Sequence, residues 1–310
     1  MKKIACIFTL DYETFGDGSG DALREQIIPT AHLANVLELY GLRLTIFVEV
    51  GQMIYFRKHG MNSWFEPIEE QLIDLAKRGH DIQLHIHPMW FYAPAPVNGQ
   101  IRLNTDKYDL SMLDPEEIES IVSHGCQYLT SLINPFVPGY KPVAYRAGAW
   151  SMERRKVLFE ILLRKGIEID STIAPGAKFS AVYGRFDYTG FKMRPFWSEE
   201  GLVELPILTE RTPLAFRKYI SPLGLLSRKV AAQFYPISVA KSGQSIFAKA
   251  WAVVGRNYVM ADFNMLSDNE LVAMVLRYVK ENGLSKEALP IVFIGHSKTS
   301  YYSDRLHRVF

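Results

Sequence analysis

The chain alternates strand and helix signals along most of its 310 residues, and this alternation limits the possible folds more than any other feature. Ile4–Leu10 is a short apolar run ending in acids, the pattern of a strand buried on both faces of a parallel sheet. Ala22–Tyr40 repeats apolar residues at helical spacing and stops at Gly41. Leu44–Val50 reads as a strand, Ile68–Lys77 as a helix closed by Gly79, and Asp81–His87 as a strand ended by Pro88. Asp114-Pro115-Glu116-Glu117 opens a helix to about Leu132. Strands are predicted at Pro142–Arg146, Gly166–Asp170, Leu202–Leu205, Tyr258–Asp262 and Ile291–Gly295, with helices at Met152–Arg164 and from the capping box Ser267–Glu270 to Glu281. Seven or eight such steps without a sharp linker predict one α/β domain over 1–310, a (β/α) barrel.

One stretch departs from the rhythm. Arg211 to Ala261 contains no Asp or Glu but eight Lys and Arg, so the rest of the chain carries −6 against an overall +2. It is also rich in aromatic and leucine residues. The segment, about 211–257, reads as a basic helical insertion that is either a solvated face or a surface for anionic lipid, phosphate or pyrophosphate. The overall charge calls for no nucleic-acid partner. Cys6 and Cys126 lack metal-pair spacing and suit a reducing compartment. The apolar run Ile4–Leu10 is too short for a signal peptide and has no cleavage site. No window is long enough for a transmembrane helix. The expectation is a cytoplasmic protein, or one peripheral to the inner face of a membrane.

Four strand ends carry chemistry. In Leu84-His85-Ile86-His87-Pro88 the histidines stand two apart on an extended strand, so both imidazoles face the same way and suit one metal ion or, alternatively, a partly buried pair capped by proline. In Thr9-Leu10-Asp11-Tyr12-Glu13 two carboxylates share a face, either as cation ligand and proton acceptor or as a loop-opening pair capping the next helix. Tyr145-Arg146-Ala147-Gly148-Ala149-Trp150 offers an arginine for a carboxylate in the barrel mouth, or for a surface salt bridge, and an indole to stack on a sugar ring. Ile291-Val292-Phe293-Ile294-Gly295-His296-Ser297-Lys298 places His296 where a general acid could stand.

In this order the motifs resemble those of the NodB-type polysaccharide deacetylases, carbohydrate esterase family 4. The similarity extends to Leu-Thr-Ile-Phe-Val-Glu-Val at Leu44–Val50 and to Gly79-His80-Asp81-Ile82. It runs from Ile4 to Lys298 apart from the basic insertion. The Asp-Tyr-Glu and His-Ile-His-Pro spacings depart from the family's usual adjacent Asp pair and wider-spaced histidines. They are more similar to a divergent branch associated with lipopolysaccharide O-antigen loci.

The resemblance implies a distorted (β/α) barrel and a metal-dependent hydrolase that removes an N-acyl group, acetyl foremost, from an amino sugar in cell-surface polysaccharide biosynthesis. It puts Glu13, His85 and His87 on a divalent cation, Zn²⁺ first and Co²⁺, Mn²⁺ or Ni²⁺ as alternatives. Asp11 takes the place of the base, His296 of the acid, and Arg146 holds Asp11. A backbone N–H near Arg146–Ala147 is expected at the oxyanion. Asp170 is expected to orient His296 or Arg146 and is grouped with Trp150 and Trp90 on the substrate side. The expected partner is an N-acylated amino sugar, carried on a nucleotide or a polyprenyl chain. The competing readings are a catalytically inactive glycan-binding or assembly protein on the same scaffold and a two-metal phosphoesterase, which eight histidines with one close pair supply poorly.

Overall fold

The computed structural model describes residues 3–14, 20–181, 184–213, 256–283 and 288–299. Its centre is an eight-stranded sheet in the order β12-β1-β2-β3-β4-β5-β9-β8. The strands are β1 (Ile4–Tyr12), β2 (Leu44–Glu49), β3 (Asp81–Ile86), β4 (Ala144–Ala147), β5 (Ile169–Asp170), β8 (Phe196–Trp197), β9 (Val203–Glu204) and β12 (Leu289–His296). Every neighbouring pair is parallel except β8 with β9. Just beyond β9 the chain links the segment after β5 to β12: the Ile207 N–H donates to Ile173 O, and Leu208 N–H to Val292 O on β12. The Ile207–Val292 bridge curls the sheet into a distorted barrel.

Alternation along the strands sorts their side chains by face. Leu10, Tyr12, Ile46, Val48, Leu84 and Ile86 join the main core with residues of the surrounding helices. The helices are α1 (Ile28–Leu39), α2 (Val50–Lys58), α3 (Asn62–Lys77), α4 (Pro115–Ile133), α5 (Arg155–Arg164) and α6 (Asp268–Asn282). The opposite face carries Thr9, Asp11, Phe47, Glu49, Gln83, His85 and Arg146, all buried, with a small apolar cluster of Ile207, Val292 and Ile294. Polar residues thus collect at the carboxyl ends of the strands, the end where barrel sites form.

The capping boxes at Asp114/Glu117 and Ser267/Glu270 open α4 and α6 as their sequences predict. Elsewhere the structure differs in instructive ways. The helix predicted from Ala22 begins as a π turn, Leu23–Ile27, and becomes α-helical at Ile28. The wider turn shifts the buried face, so Glu25 and Gln26 are buried and Leu23 is exposed. Helix α2 was not predicted, because its cap is the Glu49 side chain rather than a Ser, Thr, Asp or Asn. Of the strand predicted at Tyr258–Asp262, the first part is β11 (Arg256–Met260), antiparallel to β10 (Thr209–Pro213), and only its end joins the barrel, where Asp262 bridges Ile294 of β12 in parallel. This ladder brackets the basic insertion, of which residues 214–255 lie outside the described residues. A further hairpin, β6 (Lys178–Ala181) with β7 (Gly184–Asp187), has no counterpart in the sequence reading.

A pair of carboxyl groups is buried in the wall. Asp170 and Glu204 are register neighbours on β5 and β9 and neither is exposed to solvent. Neither Glu204 oxygen meets a hydrogen-bond donor from elsewhere, and Arg155 Nη1 stands 3.8 Å away. Two ionised carboxyls side by side in the interior would repel, so the pair favours keeping one proton. Burial first, then the Asp170 charge, pushes the Glu204 pKa up to about 10, and burial raises Asp170 as well. Unfolded, such a glutamate ionises near 4.5. Between these values the folded chain holds a proton that the unfolded chain has lost, so this pair's contribution to stability declines as pH rises through that window. Glu204→Gln cannot ionise and keeps an N–H for Asp170. Thermal melts from pH 6 to pH 9 should show the variant gaining on wild type with rising pH; parallel curves would contradict the retained proton.

Candidate metal centre and acid–base pair

Arg146 anchors the site. Its side chain is wholly buried, and its guanidinium lies 4.2 Å from the centre of the Phe47 ring. Nε donates to Ser171 O at 2.8 Å and Nη2 to Ser171 Oγ at 3.1 Å. Nη1 donates to Thr9 Oγ1 at 3.0 Å and to Asp11 Oδ1 at 2.6 Å. This buried network is incompatible with the surface-salt-bridge alternative. Burial works against the Asp11 carboxylate, but Arg146, followed by His85 and His296, outweighs it and holds its pKa below the ordinary value.

Glu13 lies on the same face two residues on. Lys298 Nζ donates to its Oε1 at 2.7 Å, and its Oε2 stands 3.6 Å from His87 Nδ1. Its backbone N–H donates to Ser297 Oγ, which donates back to Glu13 O. Burial would raise the Glu13 pKa, yet Lys298 and then His87 and His85 carry it well below the carboxylate range. The acid pair therefore does not cap the following helix; Asp21 accepts the Arg24 N–H there.

Glu13, His85 and His87 each offer a ligand atom, and these atoms all lie within 4.8 Å of one another. His85 Nδ1 is 2.9 Å from Arg146 O, which as a carbonyl can only accept, so Nδ1 carries the proton and Nε2 the lone pair. Nε2 is buried without a partner. Burial lowers the His85 pKa and favours the neutral ring that a cation requires. An orphaned lone pair beside an anionic carboxylate and a second imidazole is a donor set that fits a divalent ion. The His87 ring lies so close to Gly148 that an added Cβ would come within 2.6 Å of ring atoms and of Ile86 O, so glycine is required there.

His296 closes the other side. Nε2 is 3.6 Å from Asp11 Oδ2, and Nδ1 is 3.7 Å from Asp262 Oδ2. Burial lowers its pKa, but Asp262 and then Asp11 more than reverse this, and the ring is pulled toward the protonated form. The Trp150 indole meets His296 edge to face at 5.5 Å. Ala149 and Trp150 both have φ near +50°, a strained pair that turns the chain over this ring.

Sequence-predicted residues fall into two groups. Asp11, Glu13, His85, His87, Arg146, Trp150 and His296 gather at one mouth. Trp90 does not: it is 4% exposed and packs on Tyr55 and Phe56 as a core residue. Asp170 is not on a substrate surface either, and its oxygens are taken by the Thr172 N–H and hydroxyl. Asp262, not Asp170, stands against His296. The Ala147 N–H expected at an oxyanion donates to Thr172 Oγ1 instead. Lys298, Asp262 and Glu49 received no role from the sequence, although each sits at or just beyond a predicted strand end, where an acid or a lysine is the available signal.

No family model and no curated protein matches the chain. Solved structures similar to it include a protein of Mycobacterium smegmatis assigned as a polysaccharide deacetylase, at 16% identity over 99% of this chain and 83% of that one, with a TM-score of 0.48. The polysaccharide deacetylase Bc1974 of Bacillus cereus is similar at 12% identity over 99% and 85%, with a TM-score of 0.40. A GH57-type branching enzyme from Pyrococcus horikoshii is similar at 13% identity and a TM-score of 0.50; the chain spans 66% of its length. At these identities each likeness is one of fold alone. Polysaccharide deacetylases, the family that the motifs resemble, are thus among the chain's structural neighbours.

Removing Arg146 leaves Asp11 as an unpaired buried charge, which costs about 3–5 kcal/mol. Arg146→Met should destabilise by that order in urea denaturation, and adding Asp11→Asn should recover much of the loss. Additive losses in the double variant would mean that the two side chains do not depend on each other.

Proposed function

We propose that this chain is a metal-dependent carbohydrate deacetylase that removes an N-acyl group, acetyl foremost, from an amino sugar. The observation that carries the reading is the Glu13, His85 and His87 donor set, with its unpartnered His85 Nε2, beside an acid–base pair made by Asp11 and His296. A divalent ion there, Zn²⁺ first, supplies Lewis acidity to the acyl carbonyl and acidifies water.

The residues divide the rest of the work. Arg146 holds Asp11 by Oδ1 and keeps it ionised, which leaves Oδ2 to accept a proton from the attacking water. His296, drawn toward its protonated form between Asp262 and Asp11, delivers a proton from Nε2 to the departing amine. Trp150 walls the acid and offers an apolar surface to a sugar ring. A glycan-binding module has no need of base, acid and cation donors in one mouth.

The substrate we propose is an amino sugar of cell-surface polysaccharide or O-antigen synthesis, carried on a polyprenyl pyrophosphate rather than a nucleotide. The basic segment 211–257 supports this, because its charge suits pyrophosphate and an anionic membrane face. No helix among the described residues is long and apolar enough to cross a membrane, and contact through that segment would be peripheral.

Elemental analysis of purified wild type should find about one divalent ion per chain, absent from His85→Ala combined with His87→Ala. Asp11→Asn should keep the ion and lose about a hundredfold or more in acetate release from N-acetylated amino sugars. Full activity in Asp11→Asn would remove it as the base. A loaded wild type that binds glycans without releasing acetate would favour the binding-module reading. Charge reversal at Arg228 and Lys229 should weaken sedimentation with anionic liposomes; unchanged sedimentation would end the membrane proposal.

A further inference from the structure

Among the described residues, Glu49 is the one carboxylate of this mouth to which the proposed chemistry gives no task, and its surroundings are specific. It ends β2 opposite His85 in register and is 1% exposed. Its Oε1 accepts the Gly51 N–H at 2.8 Å and caps α2. Its Oε2 accepts both the backbone N–H of His87 at 2.7 Å and the ring Nδ1–H of the same residue at 2.6 Å. Gly51 is packed so tightly that an added Cβ would stand 2.8 Å from Oε1 and 2.9 Å from Phe91 and Trp90, so the carboxylate has little room to turn.

From this geometry we infer that Glu49 is a positioning residue of the cation site, acting through His87. It does not belong to the group of mutually close donors formed by Glu13, His85 and His87. A carboxylate can only accept from Nδ1, so the bond keeps the ring proton there and leaves the lone pair on Nε2. The backbone bond to the same oxygen ties the orientation of the ring to that of its main chain. The Ala149 N–H donates to Nε2 at 3.2 Å, which places the lone pair on that nitrogen, and a cation bound there would take the place of this donor. A histidine gripped by an anionic acceptor on one nitrogen is more basic and better aimed on the other. The two histidines are set differently: His85 is oriented by a carbonyl, Arg146 O, and His87 by a full negative charge.

The inference rests on the metal-site reading above, and the experiment separates the two. Zn²⁺ affinity is measured by competition with a chromophoric chelator in wild type, Glu49→Gln and His85→Ala, with melting temperatures taken in EDTA. Glu49→Gln keeps one acceptor oxygen for Gly51 but sets an amide NH2 against the two His87 donors and loses the charge there. It should bind Zn²⁺ about ten- to a hundredfold more weakly, in addition to whatever fall in melting temperature in EDTA the lost His87 bonds bring. A purely structural cap would lower the melting temperature and leave Zn²⁺ affinity unchanged, and that result overturns the inference alone. Wild type that binds no Zn²⁺ overturns the metal-site reading and the inference together. Should Glu49→Gln fail to fold, two-bond ¹H–¹⁵N spectra of wild type decide: the His87 Nδ1 proton should persist on adding Zn²⁺, and loss of that proton to metal at Nδ1 overturns the assignment.

Discussion

A guanidinium with no access to water has to be paid for by its neighbours, and in this barrel the neighbours are the site. Arg146 draws its acceptors from Asp11 and Thr9 on β1 and from Ser171 just beyond β5, and the Thr9 hydroxyl is itself tied to Phe293 O on β12. The charge can be buried only if these strands keep their register. One residue of slip would turn Asp11 to the helix side and bring Leu10 or Tyr12 into its place. The same pairing holds Asp11 ionised, so the constraint that stabilises the barrel also prepares its acid–base chemistry.

The mouth is built as compensated pairs. Asp11 faces Arg146, Glu13 faces Lys298, Glu49 faces His87, and Asp262 faces His296. In a buried setting an unmatched charge is costly, so each acid is held beside a base. The exception is the wall pair Asp170 and Glu204, which has no cation within hydrogen-bond reach and keeps a proton instead. Against this background the unpartnered His85 Nε2 stands out as a buried acceptor left open, where the unpartnered Trp150 Nε1 is a donor. A lone pair left open in such a network is the feature that gives the donor set its chemical meaning.

Much of this was legible in the chain. Apolar runs ending in acids or histidines marked the barrel strands and their functional ends, since period-two alternation places Asp11 with Glu13 and His85 with His87 on one face. Capping residues marked α4 and α6. Signals failed where the local chemistry was unusual. A glutamate cap concealed α2, a π turn moved the buried face before α1, and the strand that reaches the barrel at Asp262 runs before it in an antiparallel ladder of β10 with β11. Trp90 looked like a sugar platform because an aromatic residue in a loop after a strand gives no sign of whether it faces the cleft or the core.

The sequence by itself therefore determined the strand-helix alternation, the face on which each reactive residue would lie, and the four strand ends that carry them. Periodicity and capping are local, and local interactions are written in neighbouring residues. Which acid serves which base was decided only by the tertiary structure. Asp262 and Glu49 meet His296 and His87 across 34 and 38 residues of chain, and Lys298 reaches Glu13 across 285. Such pairings arise when strands far apart in sequence pair side by side: β2 with β3, β1 with β12, and Asp262 with Ile294 of β12. Burial then turns proximity into a strong interaction, because the interior screens charge far less than water does.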